Sequence, residues 1–267
     1  MASGSETDRT DGARPAYTRV VGSPSSIHGR ALSFGRRQVI LCHPTEPALV
    51  LGRALREDGF DQVRMSQARV GQARRASGGG AVLVRPRELV WVDVCLPLGD
   101  PLWEDDVSRA FGWLGGAWAE VLAGLGISYL SVHHGPMVRT AWSARLCLAG
   151  LGPGEVSVGG RKVVGLSQRR TRQGAVFHCA ALISGDVGEV ASLLAGTEDE
   201  RLEAAACCRA ISATLTELAP PAALVPPAAL AGAPLAARAA APRLAPADQW
   251  GLAQALAGGL AEQLARS

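Results

Sequence analysis

The chain has 267 residues, 48% of them apolar and 19% charged, with a formal net charge of +3. That length allows one large domain or a domain with a small appendage, and that apolar content excludes a disordered chain. A charge this close to balance excludes a protein that coats nucleic acid or binds membranes through a polybasic surface.

Residues 1–34 read as a mobile leader, polar and mixed in charge, with no apolar run of signal-peptide type at the start. Strands are expected at 38–42 and 48–52, split by His43-Pro44 and Pro47. Two more, at 81–84 and 88–95, flank the turn Arg85-Pro86-Arg87. Alternation in the second puts Leu89, Trp91, Asp93 and Cys95 on one face and Val90, Val92 and Val94 on the other. Apolar residues from Val107 to Leu122 recur at three- and four-residue steps, which predicts a helix over 105–125. Short strands follow at 127–130, 155–158, 162–165 and 175–179, then helical patterns over 187–194 and 200–218.

Many short strands with helices at intervals predict an α+β fold, a mostly antiparallel sheet with flanking helices, over a domain at 35–218. Residues 219–267 form a Pro/Ala-rich tail, ending in a helix over 248–265 with Leu252, Leu256, Leu260 and Leu264 on one stripe. Gly258-Gly259 opposes that helix. The six cysteines, Cys42, Cys95, Cys147, Cys179, Cys207 and Cys208, make no Cys-x-x-Cys pair, so no metal site is expected and a reduced cytoplasm is the expected compartment. No stretch has the unbroken apolar length of a membrane span.

Three segments carry chemistry. In the first, Arg74-Arg75-Ala76-Ser77-Gly78-Gly79-Gly80-Ala81, a double arginine runs into three glycines and a strand. Consecutive glycines let backbone N–H groups converge on one anion, and arginines beside them hold phosphate or carboxylate bidentately. A turn with solvated arginines has the same residues. It is neither a Walker A loop nor a dinucleotide fingerprint. In the second, the Gly159-Gly160 turn opens a strand carrying Lys162, the only lysine in the chain. Simple alternation puts Lys162 and Val164 on one face, where an inward ammonium meets a phosphate or an acyl carbonyl as a point charge. An exposed hairpin lysine is the plainer alternative. The third is Cys147, fifteen residues before Lys162, either a nucleophile or a buried core thiol.

The first two segments together, from roughly residue 47 to 184, resemble the lipoate-protein ligase A-like family of the biotin/lipoate protein ligase superfamily. The resemblance implies an α+β catalytic domain that attaches lipoate or octanoate to a carrier-protein lysine through an acyl-adenylate, using ATP and Mg2+. It implies that Arg74, Arg75, Ser77, Gly78, Gly79, Gly80, Ala81, Gly165 and His178 line the acyl or adenylate pocket, and that Lys162 contacts the acyl carbonyl and phosphate. The carrier it implies is the lipoyl domain of a 2-oxoacid dehydrogenase or a glycine-cleavage H-type protein. Cys147 resembles the nucleophile of the cysteine-type octanoyltransferases, which implies transfer from an acyl carrier protein without ATP. The chain departs from the ligases at Ser143-Ala144-Arg145, where many carry Asn-Asp, so their adenylate- or magnesium-facing aspartate is missing. That departure motivates a third reading, a non-catalytic acyl- or adenylate-binding module. The ligase is the favoured reading, with no nucleic-acid or membrane partner.

Overall fold

A computed structural model describes residues 17–218 and 246–266 of the chain. Residues 1–16 of the expected leader and 219–245 of the expected tail lie outside the described residues.

The strands are β1 (Thr18–Gly22), β2 (Gln38–Pro44), β3 (Ala48–Leu51), β4 (Gly71–Arg74), β5 (Val82–Val84), β6 (Leu89–Pro97), β7 (Leu130–Val132), β8 (Val156–Val158), β9 (Arg161–Arg170) and β10 (Gly174–Leu182). The α-helices are α1 (Pro24–Gly29), α2 (Gln62–Gln67), α3 (Gly112–Gly124), α4 (Glu198–Ile211), α5 (Leu215–Leu218) and α6 (Pro246–Arg266). Seven strands form one sheet in the order β1-β2-β6-β10-β9-β8-β7, and β4-β3-β5 form a second. In the large sheet β1 runs parallel to β2 and every other pairing is antiparallel. The fold is α+β, with a mostly antiparallel sheet.

The period-2 pattern of β6 explains the layering. Val90, Val92 and Val94 join Leu114, Trp118 and Leu122 of α3 in one core. Leu89, Trp91 and Cys95, on the other face, pack with Val50 and Val84 of the small sheet and Ile27 of α1. Each fully buried aliphatic side chain in these layers contributes about 1.5–3 kcal/mol.

Four expectations are corrected. Residues 18–29, assigned to a mobile leader, form β1 and α1. Ser23 caps α1 by accepting from the Ser26 backbone N–H, and Pro24 opens the helix. Helix α3 begins at Gly112 rather than 105, because Asp106 turns its carboxylate onto the Ser108 N–H and hydroxyl in a local turn. The helical pattern over 200–218 breaks at Ser212, which pairs with Lys162 while the Ala213 N–H donates to the Lys162 carbonyl. Finally, α6 is part of the main core and not a separate tail. Leu252, Leu256, Leu260 and Leu264 are buried with the α3 residues. Gly259 permits this approach, since a methyl group there would stand 3.2 Å from a Val121 methyl.

Candidate functional site

A cleft of about 600 Å3, counting its open mouth, lies between the two sheets, within the size range of small-molecule sites. The large sheet supplies Leu89, Trp91, Gly165, Leu166, Ser167, His178, Cys179, Ala180 and Leu182. The small sheet supplies Val50, Val82 and Val84, and α1 supplies His28. Arg75, Cys147 and Leu148 complete the lining. The walls are largely aliphatic, with a few polar groups set among them.

Of the residues singled out in the sequence, Arg75, Cys147, Gly165 and His178 line this cleft; Arg74, Ser77, Gly78, Gly79, Gly80, Ala81 and Lys162 do not. Arg74 and Arg75 are neighbours in the chain and point opposite ways, as backbone alternation requires. The exposed Arg74 donates to the carbonyls of Gly52, Arg53 and Leu55 and pairs with Glu57 at 3.1 Å. Arg75 is 4% exposed and donates to the carbonyls of Val50, Gly78 and Gly80. It is therefore the clasp of the glycine loop. Burial pulls its pKa down, with Cys147 opposing. Among the described residues no carboxylate pairs with it.

The glycines act through close approach. A methyl group on Gly80 would sit 2.6 Å from the Cys147 nitrogen, and one on Gly52 would sit 1.9 Å from the Gly79 carbonyl oxygen. Gly79 also has a φ of 94°, in the left-handed region. At Ala81 the loop joins the cysteine segment: its N–H donates to the Arg145 carbonyl, and the Cys147 N–H donates to the Ala81 carbonyl. Ser77 meets the cleft-lining Ser167 through their hydroxyls at 3.0 Å.

Lys162 is 1% exposed. Its Nζ donates to the carbonyls of Cys147 (2.8 Å) and Gly150 (2.9 Å) and to the Glu155 carboxylate (3.0 and 3.2 Å). Those partners account for its three hydrogens. The Cys147 Sγ is 3.8 Å away. Burial pulls this ammonium toward deprotonation, but Cys147 and Glu155 outweigh it and hold the pKa above the ordinary lysine value. The expected shared face of Lys162 and Val164 is overturned by a bulge. Ser157 pairs with Lys162 while Val156 pairs with Val164, so Val163 is the extra residue. Val163 and Val164 both enter the large core, and Lys162 turns toward the Cys147 side.

Sequence reading missed Glu155, which stands across the Gly159-Gly160 hairpin from Lys162. It is 4% exposed and also accepts from the Gly152 and Leu166 backbone N–H groups. It missed the role of Asp93 too: Asp93 accepts from Arg30 and from the Trp91 indole, and its Oδ1 lies 2.7 Å from His178 Nδ1. His28 was hidden inside the presumed leader; its ring lies 4.3 Å from Trp91 and 5.0 Å from His178. The helix-capping signal Ser23-Pro24 was the available clue to α1. Among the described residues no group of three or more His, Cys, Asp or Glu is placed to hold a metal ion, and no helix is long and apolar enough to cross a membrane.

Among solved structures, the fold is similar to a bi-partite lipoate protein ligase from Thermoplasma acidophilum, studied with its E2 lipoyl domain. The TM-score is 0.62 at 17% identity, covering 92% of this chain and 82% of that one. It is also similar to a lipoate-protein ligase A bound with ATP, with a TM-score of 0.58 at 16% identity, covering 94% and 80%. A third solved chain, from T. acidophilum with bound lipoic acid, has a TM-score of 0.51 at 15% identity, covering 72% and 83%. No curated protein matches in sequence. Residues 28–225 match the family described as the lipoyl protein ligase A/B catalytic domain, and with three quarters of its length inside that match the chain belongs to this family.

Proposed function

We propose that this protein moves a lipoyl- or octanoyl-sized acyl group onto a lysine of a lipoyl carrier domain, through a thioester on Cys147. The observation that carries the reading is the placing of Cys147 on the wall of an aliphatic cleft, 3.8 Å from a buried ammonium. The aliphatic walls suit a medium acyl chain, and Lys162 stands where it balances negative charge on sulfur as a thioester forms and breaks. In the first step the Cys147 sulfur attacks the carbonyl of an acyl thioester on a donor carrier. The new C–S bond forms, the donor C–S bond breaks, and the Cys147 proton leaves on the donor thiol. In the second, the carrier lysine amine attacks Cys147's thioester, giving an amide and restoring the thiol.

The sequence favoured ATP-dependent ligation, and the likeness to a lipoate-protein ligase bound with ATP keeps it as the second reading. The cleft counts against it on its donor set. Its lining residues include no Asp or Glu to hold Mg2+, and the three Lys162 hydrogens are already committed. The partner under either reading is a lipoyl domain, as in the archaeal relative.

The test is intact mass after mixing with octanoyl-carrier protein. An octanoyl adduct absent from Cys147→Ser, followed by octanoyl transfer to a lipoyl domain without ATP, is the expected result. Lipoate-dependent ATP–pyrophosphate exchange that survives Cys147→Ser would instead establish ligation. A protein that does neither would be the non-catalytic binding module.

A further inference from the structure

We infer that His178 is the base that takes the proton from the attacking carrier lysine, held in its working tautomer by Asp93. The inference rests on the thioester reading above, since the carrier lysine amine must be deprotonated before it can attack the acyl group held on Cys147.

Asp93 lies in the middle of β6 and is fully buried. Its Oδ2 accepts from Arg30 Nη2 at 2.6 Å, and its Oδ1 accepts from Trp91 Nε1 at 2.7 Å. The same Oδ1 is 2.7 Å from His178 Nδ1. Burial alone would raise its pKa, but His178 and Arg30 together hold the carboxyl well below the usual range. An ionised carboxylate has no proton to give. His178 Nδ1 therefore donates, and the lone pair of the neutral ring sits on Nε2. Among the described residues Nε2 has no hydrogen-bond partner, and the ring lines the cleft that also holds Cys147. A buried carboxylate that orients an imidazole whose free nitrogen meets the substrate is the arrangement general-base catalysis requires.

A purely structural histidine explains less. Arg30 and Trp91 already donate to both Asp93 oxygens, so Asp93 does not need His178 to be satisfied. The other ionisable groups packed around the pair are His28 and Arg30 from the α1 segment, Cys42 of β2, Cys95 of β6, and Arg75 and Cys147 on the cleft walls. Burial first, then His178, pushes the His28 pKa down to about 3, so at neutral pH it is an uncharged wall and not a second base.

In the step, a proton of the lysine ammonium passes to His178 Nε2. The neutral amine nitrogen bonds to the acyl carbon and the C–S bond to Cys147 breaks; the proton on Nε2 passes to the Cys147 thiolate, and the second proton that the nitrogen sheds as it becomes an amide goes to solvent. Asp93 stays ionised throughout and is a positioning residue.

The test compares two acceptors with enzyme preloaded on Cys147: a lipoyl domain, and hydroxylamine, which is unprotonated at neutral pH. His178→Gln and Asp93→Asn are checked for folding by thermal melt and for loading by intact mass. Both are expected to slow transfer to the lipoyl-domain lysine by ~10²-fold or more and to flatten the acid side of its pH–rate profile. Both should keep transfer to hydroxylamine within a few-fold of wild type. Equal losses with the two acceptors, or unchanged transfer to lysine, would overturn the inference. Histidine 15N–1H correlation spectra of the free protein read the tautomer without substrate: an Nε2–H form in wild type overturns it as well. No transfer by wild type would sink both readings, whereas transfer indifferent to His178 would sink only this one.

Discussion

Gly80 sits where the glycine loop meets the Cys147 turn, and the atoms nearest its missing methyl group are backbone: the Cys147 nitrogen and the Leu146 carbonyl carbon, each at 2.6 Å. Backbone cannot withdraw as the end of a long side chain can. Gly80→Ala is therefore expected to cost about 1–3 kcal/mol and to displace Cys147. Gly78 has nothing within 4 Å of the same position, so Gly78→Ala should stay within about 0.5 kcal/mol of wild type. Thermal unfolding of the pair checks this, and equal losses would refute the packing argument. His28 makes a second prediction. Its pKa is near 3 in the folded protein, against 6.5 for the free side chain, through burial first and then His178, with Asp93 opposing. Between those pH values the unfolded chain binds a proton that the folded chain refuses, so stability falls as pH falls through the window. At about 1.4 kcal/mol per pKa unit the loss is on the order of several kcal/mol. His28→Phe should flatten denaturation midpoints between pH 6.5 and 3, and an acid limb identical to wild type would contradict the assignment.

At the scale of elements, β1 and α1 show how a polar segment becomes part of a site. The segment reads as a leader because its apolar residues are sparse, but Ile27 is buried against the small-sheet core and Arg30 reaches Asp93 at 2.6 Å. Removing residues 1–34 should strip Asp93 of its cation and uncover Trp91 and Ile40. Leaving a buried charge unpaired costs about 3–5 kcal/mol, so the urea midpoint is expected to drop clearly. An unchanged midpoint would restore the leader reading. The β8–β9 bulge is the opposite case, where the residues were read correctly as strand but the side they face was not. Period-2 alternation assumes an unbroken ladder, and a single extra residue at Val163 reverses the side on which Lys162 lies.

For the whole molecule, Lys162 ties together parts that are far apart in the chain. Its ammonium holds the Cys147 turn, the Gly150 loop and Glu155, and its backbone pairs with Ser212 beyond α4. Lys162→Met leaves Glu155 buried without its cation and is expected to cost about 3–5 kcal/mol. Adding Glu155→Gln removes the stranded charge and should return part of that loss; a strictly additive double variant would show the two to be uncoupled. The sign with pH follows from the raised lysine pKa. The contribution is complete below the unfolded value of about 10.4 and is lost as pH rises through the folded one, so wild type and Lys162→Met should converge in strong alkali.

What the sequence by itself determined was local or motif-borne. The alternating faces of β6, the leucine stripe of α6, the α+β class and the family likeness of the Arg75, Gly80 and Lys162 segments were all legible, because backbone periodicity and short motifs are written in neighbouring residues. Only the tertiary structure decided which of those residues share a cleft. It turned Arg74 out and Arg75 in, set Glu155 against Lys162, and assembled Arg30, Asp93 and His178. Those last contacts join residues 63 and 85 positions apart. Pairing across such distances depends on strand order and register, which no periodicity within one segment encodes.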